Sequence, residues 1–193
     1  MSYTIDLTIF VDFSGKAGPP KPINDIVDSL LAMGARIDER HLPAEFKISL
    51  ISEQGGAISF VYKDFEFSFS HVPAKTKYSS VNLSCSNTYF KKDKKEIYLG
   101  YFIALSKTIW NAISGRKLYG LADHEAYVMA FEEEKKDVAK LNEPTRFWIN
   151  FYGDGLVKQI GLEKIAADKD YALENLEGGV MCVMKQTPNQ VMP

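Results

Sequence analysis

The chain has 193 residues, of which 46% are hydrophobic and 25% charged, so its apolar side chains suffice to fill the core of one ordinary domain. Its 23 basic and 25 acidic residues give a formal net charge of -2. This balance excludes a global positive field of the kind that attracts nucleic acids or anionic membranes. We therefore expect a single domain over residues 1–193 that has no nucleic-acid partner.

The cysteines and the N-terminus indicate the cellular compartment. Cys85 and Cys182 are too few and too far apart for a disulfide framework, and each lies in an apolar run typical of a buried, reduced thiol. The first residues lack the basic region and the long apolar run of a signal peptide. No stretch of about 18 uncharged apolar residues occurs. These features predict a cytoplasmic protein without a membrane span.

The first half of the chain predicts mainly strands. Apolar residues alternate over 3–12, which predicts a half-buried strand, and then recur at helical spacing from about Pro22 to Gly34. Three further strands are predicted over 45–52, 57–70 and 78–89. The apolar positions of the second change parity at Lys63 and Asp64, which we ascribe to a β-bulge. The short glycine-rich connection at 54–56 favours antiparallel pairing.

The second half of the chain predicts a mixture of helices and strands. Helical spacing predicts a long helix over 93–115, a further helix over 122–140 and a third over 153–167. Strands are predicted over 145–152 and 180–185. The order of all these elements predicts an α+β fold in which the helices pack on one face of a mostly antiparallel sheet.

Motifs for catalysis or metal binding are not found in the sequence. His41, His71 and His124 form no metal-ligand pair, and no signature of a nucleophile occurs. Asp123, His124 and Glu125 are adjacent titratable residues, but neighbours on a helix point in different directions, so we interpret Asp123 as a helix N-cap. The sequence therefore predicts no metal, no cofactor and no enzymatic activity.

Aromatic residues crowd the strand predicted over 145–152. Phe147 and Phe151 fall on one parity, and Trp148 and Tyr152 on the other, as in a strand that is buried on both faces. The alternative is an aromatic binding surface. It matters because Trp, Tyr and Arg dominate the energetics of protein interfaces, and Arg146 lies beside these rings.

The last third of the chain combines a strand, a glycine turn, a helix and a Gly-Gly hairpin. The strand runs from Pro144 to Gly153, the helix contains Val157 and Ile160, and the hairpin follows Leu176. This pattern resembles the C-terminal part of bacterial immunity proteins, which neutralise a cognate secreted toxin of polymorphic or type VI systems. The resemblance implies a stoichiometric inhibitor that binds its toxin through complementary shape and charge.

The resemblance also implies a partner-binding surface. If the toxin is a nuclease, an acidic surface would mimic phosphate and steer association, the alternative being a solvated helix face. The lysines at 91–95 would equally suit an acidic toxin. The residues that we predict to bind the partner are Glu132, Glu133, Glu134, Arg146, Trp148 and Tyr152.

Two other functions stay open on the sequence. The first is an enzyme or a small-ligand-binding module whose site is assembled from distant residues near Tyr119, His124 and Arg146. The second is a structural homo-oligomer, such as a homodimer, that uses the aromatic strand or the long helix as its interface.

Overall fold

A nine-stranded antiparallel sheet is the centre of the fold. The computed structural model describes residues 4–12, 20–38, 55–73, 78–91, 93–114, 116–124, 128 and 137–186. The elements in chain order are β1 (Thr4–Asp12), α1 (Pro20–Ala32), β2 (Ala35–Ile37), β3 (Gly56–Tyr62), β4 (Phe65–Val72), β5 (Ser79–Ser86), α2 (Lys95–Ala112), β6 (Arg116–His124), β7 (Ile149–Gly153), α3 (Asp154–Ile160), α4 (Leu162–Ala166), β8 (Tyr171–Leu176) and β9 (Gly179–Met184). Short 3-10 helices span Asn87–Lys91 and Val138–Lys140.

The strands lie side by side in the order β2-β3-β4-β5-β1-β6-β7-β9-β8. Every neighbouring pair is antiparallel, and β1 occupies the middle between β5 and β6. The predicted α+β class with a mostly antiparallel sheet is therefore confirmed.

The two long helices pack on one face of the sheet. The apolar positions of α1 recur every three or four residues, and Ile26 and Leu30 are fully buried with Leu7 of β1 and Phe102 and Ile109 of α2. This face therefore holds the larger core. Within the described residues no helix is long and apolar enough to cross a membrane.

The two short helices pack on the opposite face, over β6, β7 and β9, so the prediction that the helices pack on one face of the sheet holds for α1 and α2 but is wrong for α3 and α4. Leu156 and Ile160 of α3 and Ile165 of α4 are buried with Tyr119 and Leu121 of β6. Where helices cover both faces, the strands between them are buried on both sides, as the continuous burial of β7 shows. The interpretation of 145–152 as a doubly buried strand is thereby confirmed for 149–152, whereas 145–148 precede the strand.

The single strand predicted over 57–70 is wrong, because the chain reverses inside it. Tyr62 pairs with Phe65, so Lys63 and Asp64 form a two-residue hairpin turn between β3 and β4. Lys63 has a positive φ of 57°, as such turns require. A reversal and a bulge both change the parity of the apolar positions. The sequence pattern alone did not distinguish them.

The helix predicted over 122–140 is also wrong at its start, because residues 116–124 form strand β6. Six consecutive residues of β6 are buried, and such a continuous apolar run lacks the alternation that identifies a strand. Val138–Lys140 forms only a 3-10 turn. Glu132, Glu133, Glu134 and the strand predicted over 45–52 lie outside the described residues.

The helix predicted over 153–167 is divided at Gly161. This residue has a φ of 96°, which an L-residue rarely adopts, and it separates α3 from α4. The last two strands then form the hairpin implied by the resemblance, with β8 pairing to β9 from Leu176 and Gly179 outwards.

Candidate functional site

A pocket of about 420 Å³ lies on the face of the sheet that carries α3 and α4. Strands β7 and β9 supply its floor, α4 supplies one wall, and the segments on either side of these elements supply the rest. Its described lining residues are Pro144, Thr145, Arg146, Asn150, Tyr152, Lys164, Ile165, Ala167, Asp168, Lys169, Tyr171 and Cys182.

Asn150 is the centre of a hydrogen-bond network at the floor of this pocket. Its side chain is fully buried. Its Oδ1 accepts hydrogen bonds from the hydroxyls of Thr145 at 2.8 Å and Tyr119 at 3.2 Å. Its Nδ2 donates to the carbonyl oxygen of Phe147 at 2.9 Å, and the Tyr171 hydroxyl donates to the same oxygen at 2.8 Å. The network joins four separate parts of the chain.

Tyr152 ties the segment before β7 to the sheet. The backbone N–H of Thr145 donates to the Tyr152 hydroxyl at 2.9 Å. Tyr119 pairs with Tyr152 across β6 and β7, and the two rings lie 5.7 Å apart. Because buried hydroxyl and amide groups lose their water, these contacts hold the floor of the pocket in one arrangement.

Charged side chains surround the opening of the pocket. The Arg146 guanidinium lies 2.7 Å from the Asp168 carboxylate, and the Arg146 side chain is 74% exposed. Lys164 and Lys169 line the same pocket and are exposed. The described lining residues thus include three cations and one carboxylate.

Four titratable groups of the pocket have pKa values that are shifted away from neutral pH. Burial raises the pKa of Tyr171 to about 12 and the pKa of Cys182 to about 11, and it also raises the pKa of Tyr152. The backbone N–H of Asp170, and after it Arg146, lowers the pKa of Asp168. A general acid or base works best with a pKa near the operating pH. The shifts move the pKa of each of these four groups further from that pH.

The structure places Trp148 and Tyr152 in the interior. Trp148 is 1% exposed, and its ring stacks on Phe102 at 5.4 Å and meets Phe90 edge-on at 6.0 Å. Tyr152 is also 1% exposed. Of the three residues predicted from the aromatic strand to bind a partner, Arg146 alone presents its side chain at the surface.

Tyr119, His124 and Arg146 do not form one site. Tyr119 lies beneath the pocket and Arg146 at its opening. His124 follows Tyr119 by five positions on the same strand, so the two side chains leave opposite faces of the sheet. Of the three residues that the sequence singled out for a ligand site, Arg146 lines the pocket, and Tyr119 supports its floor through Asn150.

Asp123 is not a helix N-cap, because it lies in β6. It is 3% exposed, and its two carboxylate oxygens accept the backbone N–H groups of His124 at 2.7 Å and Trp148 at 3.0 Å. The carboxylate thus fastens the end of β6 to the residue before β7. Burial raises its pKa above the ordinary value.

This raised pKa predicts a pH-dependent stability. A carboxyl whose folded pKa is raised contributes stability that is present below its unfolded pKa, near 4, and is lost as the pH rises through the folded pKa. Asp123→Asn cannot titrate, so we expect the free energy of unfolding of the variant to increase relative to wild type as the pH rises from 4. Urea denaturation of both proteins at several pH values measures this difference, and a constant difference would contradict it.

Sequence reasoning missed Thr145, Asn150 and Tyr171 as partners of one another. The available signal was Asn150, an amide in the middle of an aromatic strand, since a buried polar group is nearly always hydrogen-bonded. Its partners come from β6 and the segment before β7, and Tyr171 of β8 joins the network through the Phe147 carbonyl oxygen that Asn150 also binds. Only the order of the strands in the sheet reveals them.

A second depression, of about 470 Å³, lies on the sheet near β3, β4 and β5. Small polar side chains, including Ser59, Ser68, Ser84 and Ser86, contribute to its lining. In β5 these alternate with buried residues, a signal visible in the sequence. No lysine or arginine is among its described lining residues. Nor do the described ranges contain a group of three His, Cys, Asp or Glu side chains placed to hold a metal ion.

Comparison with known proteins yields a similarity of fold. No protein-family model matches the chain, and no curated protein matches its sequence. Among solved structures, the Pseudomonas aeruginosa T6SS protein PA0821 is similar with a TM-score of 0.57 and 11% sequence identity. The match covers 94% of this chain but 65% of the other, so this chain spans less than two thirds of that protein. At this identity the likeness establishes the fold.

Proposed function

We propose that this protein is a non-catalytic binding protein that neutralises a cognate secreted toxin by forming a stoichiometric complex. The observation that carries the proposal is the pocket over β7 and β9. Its floor is held by buried hydrogen bonds, and burial or hydrogen bonding keeps Tyr152, Tyr171, Cys182 and Asp168 away from titration near neutral pH. A rigid, non-titrating site favours recognition over turnover.

Two likenesses support the finer part of the proposal. A protein of similar fold is a T6SS protein, which supports a role connected with a secretion system. The segment from Pro144 to Val180 resembles immunity proteins, which supports inhibition of a toxin as that role. The toxin would be the partner, and Arg146 the first candidate for a contact with it.

Purification of the tagged protein from the cells that encode it tests the proposal. We expect a second protein at a fixed stoichiometry, identified by mass spectrometry and sized by light scattering. Expression of that partner alone should stop growth, and co-expression with this chain should restore it. Growth arrest that co-expression does not relieve would overturn the inhibitor role.

Arg146→Ala separates binding from stability. Its side chain is 74% exposed, and exposed ion pairs contribute little to folding, so we expect an unchanged melting temperature. Arginines at the centre of an interface are often important for affinity, so we expect about tenfold weaker binding of the partner. Calorimetric titration and thermal melting measure the two effects. Arg36→Ala, at an exposed position in β2, is the matched control and should change neither.

A small-ligand-binding module is the second candidate function. The pocket volume of about 420 Å³ is within the range of small-molecule sites, about 300–1,000 Å³. Native mass spectrometry of the purified protein distinguishes the two functions. A bound small molecule without a protein partner would favour this candidate, and a homodimer alone would favour the structural oligomer.

A further inference from the structure

We propose that the pocket over β7 and β9 binds a carboxylate side chain that a protein partner inserts into it. The choice of a protein as the source of the carboxylate rests on the function proposed above. The choice of a carboxylate rests on the charges around the opening of the pocket and on its neutral floor.

The charge around the opening favours an anion. Asp168 lies against Arg146, which offsets its negative charge. Lys164 and Lys169 are exposed lining residues, and within the described parts of the chain neither forms an ion pair. Two cations are therefore available to an incoming negative group, and ion pairs between a carboxylate and lysine or arginine are charge-assisted.

The floor does not oppose an anion, because its groups are neutral. The raised pKa values of Tyr152, Tyr171 and Cys182 keep these side chains protonated at neutral pH. Asn150 and Thr145 are uncharged and are held in place by the network. A preorganised neutral floor beneath exposed lysines is suited to one small planar charged group.

The surface beside the pocket suits a protein partner. Leu162, which is 44% exposed, precedes the pocket residue Ile165 by three positions, about one turn along α4. Exposed apolar side chains next to a charged or polar anchor are typical of protein interfaces. An acidic side chain on a partner loop is thus the occupant that both observations favour.

The first test uses N-acetyl-glutamate amide as a probe and N-acetyl-glutamine amide as its neutral counterpart. In amide NMR spectra at low salt we expect the acidic probe to cause saturable shifts near residues 145–150 and 164–171, with the neutral probe at least tenfold weaker. The double variant Lys164→Ala/Lys169→Ala should lose the response. Lys158→Ala, an exposed lysine of α3 that does not line the pocket, should keep it.

Equal responses to the two probes, or a response that the double variant retains, would overturn the proposal. Tighter binding of inorganic phosphate than of the acidic probe, by tenfold or more, would also overturn it, because the preferred ligand would then not be a carboxylate. Addition of 0.5 M salt should abolish the response, since the interaction is between exposed charges.

The second test separates this proposal from the proposed function. With the partner identified by co-purification, we expect the double variant Lys164→Glu/Lys169→Glu to bind the partner at least tenfold more weakly than wild type. The melting temperature of the free variant should equal that of the free wild-type protein. An unchanged complex would overturn the pocket proposal and leave the toxin-binding function standing. If the acidic probe binds but co-purification yields no protein partner, a protein is not the source of the carboxylate. That outcome would also overturn the toxin-binding function.

Discussion

Trp148→Ala is expected to lower the free energy of unfolding by about 4 kcal/mol, because it removes a large buried ring and leaves a cavity. The ring is 1% exposed and lies between Phe102 and Phe90, in the core that α2 forms with the sheet. The backbone N–H of Trp148 also donates to buried Asp123, so collapse around the cavity would strain that contact.

Urea denaturation followed by circular dichroism measures this loss. Trp148→Phe keeps an aromatic ring against Phe102 and Phe90 and is the matched control, with a smaller expected loss of about 2 kcal/mol because it removes only part of the buried ring system. The result also decides between two roles for the residue. A loss under about 1 kcal/mol in the alanine variant, together with weaker partner binding, would contradict the buried position and restore the aromatic binding surface.

Asn150→Leu is expected to cost about 3 kcal/mol, because it leaves buried polar groups without their partner. The amide joins Thr145, Tyr119 and Phe147, and leucine of similar size can form none of these hydrogen bonds. The hydroxyls of Tyr119 and Thr145 lie 2.6 Å apart and can still pair with each other. The expected loss of free energy of unfolding is therefore smaller than it would be if both hydroxyls were left without a hydrogen-bond partner.

The matched control is Asn175→Leu, at an exposed position of β8. It should change the free energy of unfolding by less than about 0.5 kcal/mol. We also expect Asn150→Leu to broaden the amide signals of residues 144–148, because the network holds that segment against the sheet. A fully stable variant with sharp signals would show that the network does not order the floor of the pocket.

The two variants test different parts of the molecule. Trp148 belongs to the core beneath the long helices, and Asn150 to the face that carries α3 and α4. Two residues this far apart in one strand would share a face of the sheet. Trp148 lies on the other face because it precedes β7, which begins at Ile149. The binding proposals concern the second face alone.

Local patterns in the sequence predicted the elements that have water on one side or a clear helical period. The alternation in β1, the spacing in α1 and the long stripe of α2 each agree with the observed spans apart from a few residues at the ends. The α+β class followed from the order of these elements. The burial of Cys85 and Cys182 as free thiols was also predicted, because each lies in an apolar run.

Local patterns failed where the chain is buried on both sides or reverses abruptly. In β6 both faces are covered, so periodicity disappears, and the residues from Leu118 to Asp123 were interpreted in part as a helix. At Lys63 the parity change was compatible with a bulge or a turn. The choice between helix and strand at β6, and between bulge and turn at Lys63, depends on which strands pair with one another. The spacing of apolar residues along one segment carries no information about a partner strand that is distant in sequence.

The sequence by itself thus determined the class of the fold, most of its elements and the buried, reduced state of the two cysteines. Only the tertiary structure decided that Trp148 and Tyr152 lie in the interior, that Asp123 joins β6 to the residue before β7, and that a pocket forms over β7 and β9. The physical reason is the same in each case. Secondary structure follows from residues a few positions apart, whereas burial and the pocket arise from the antiparallel pairing of β6, β7, β9 and β8, which brings together side chains from Tyr119 to Cys182.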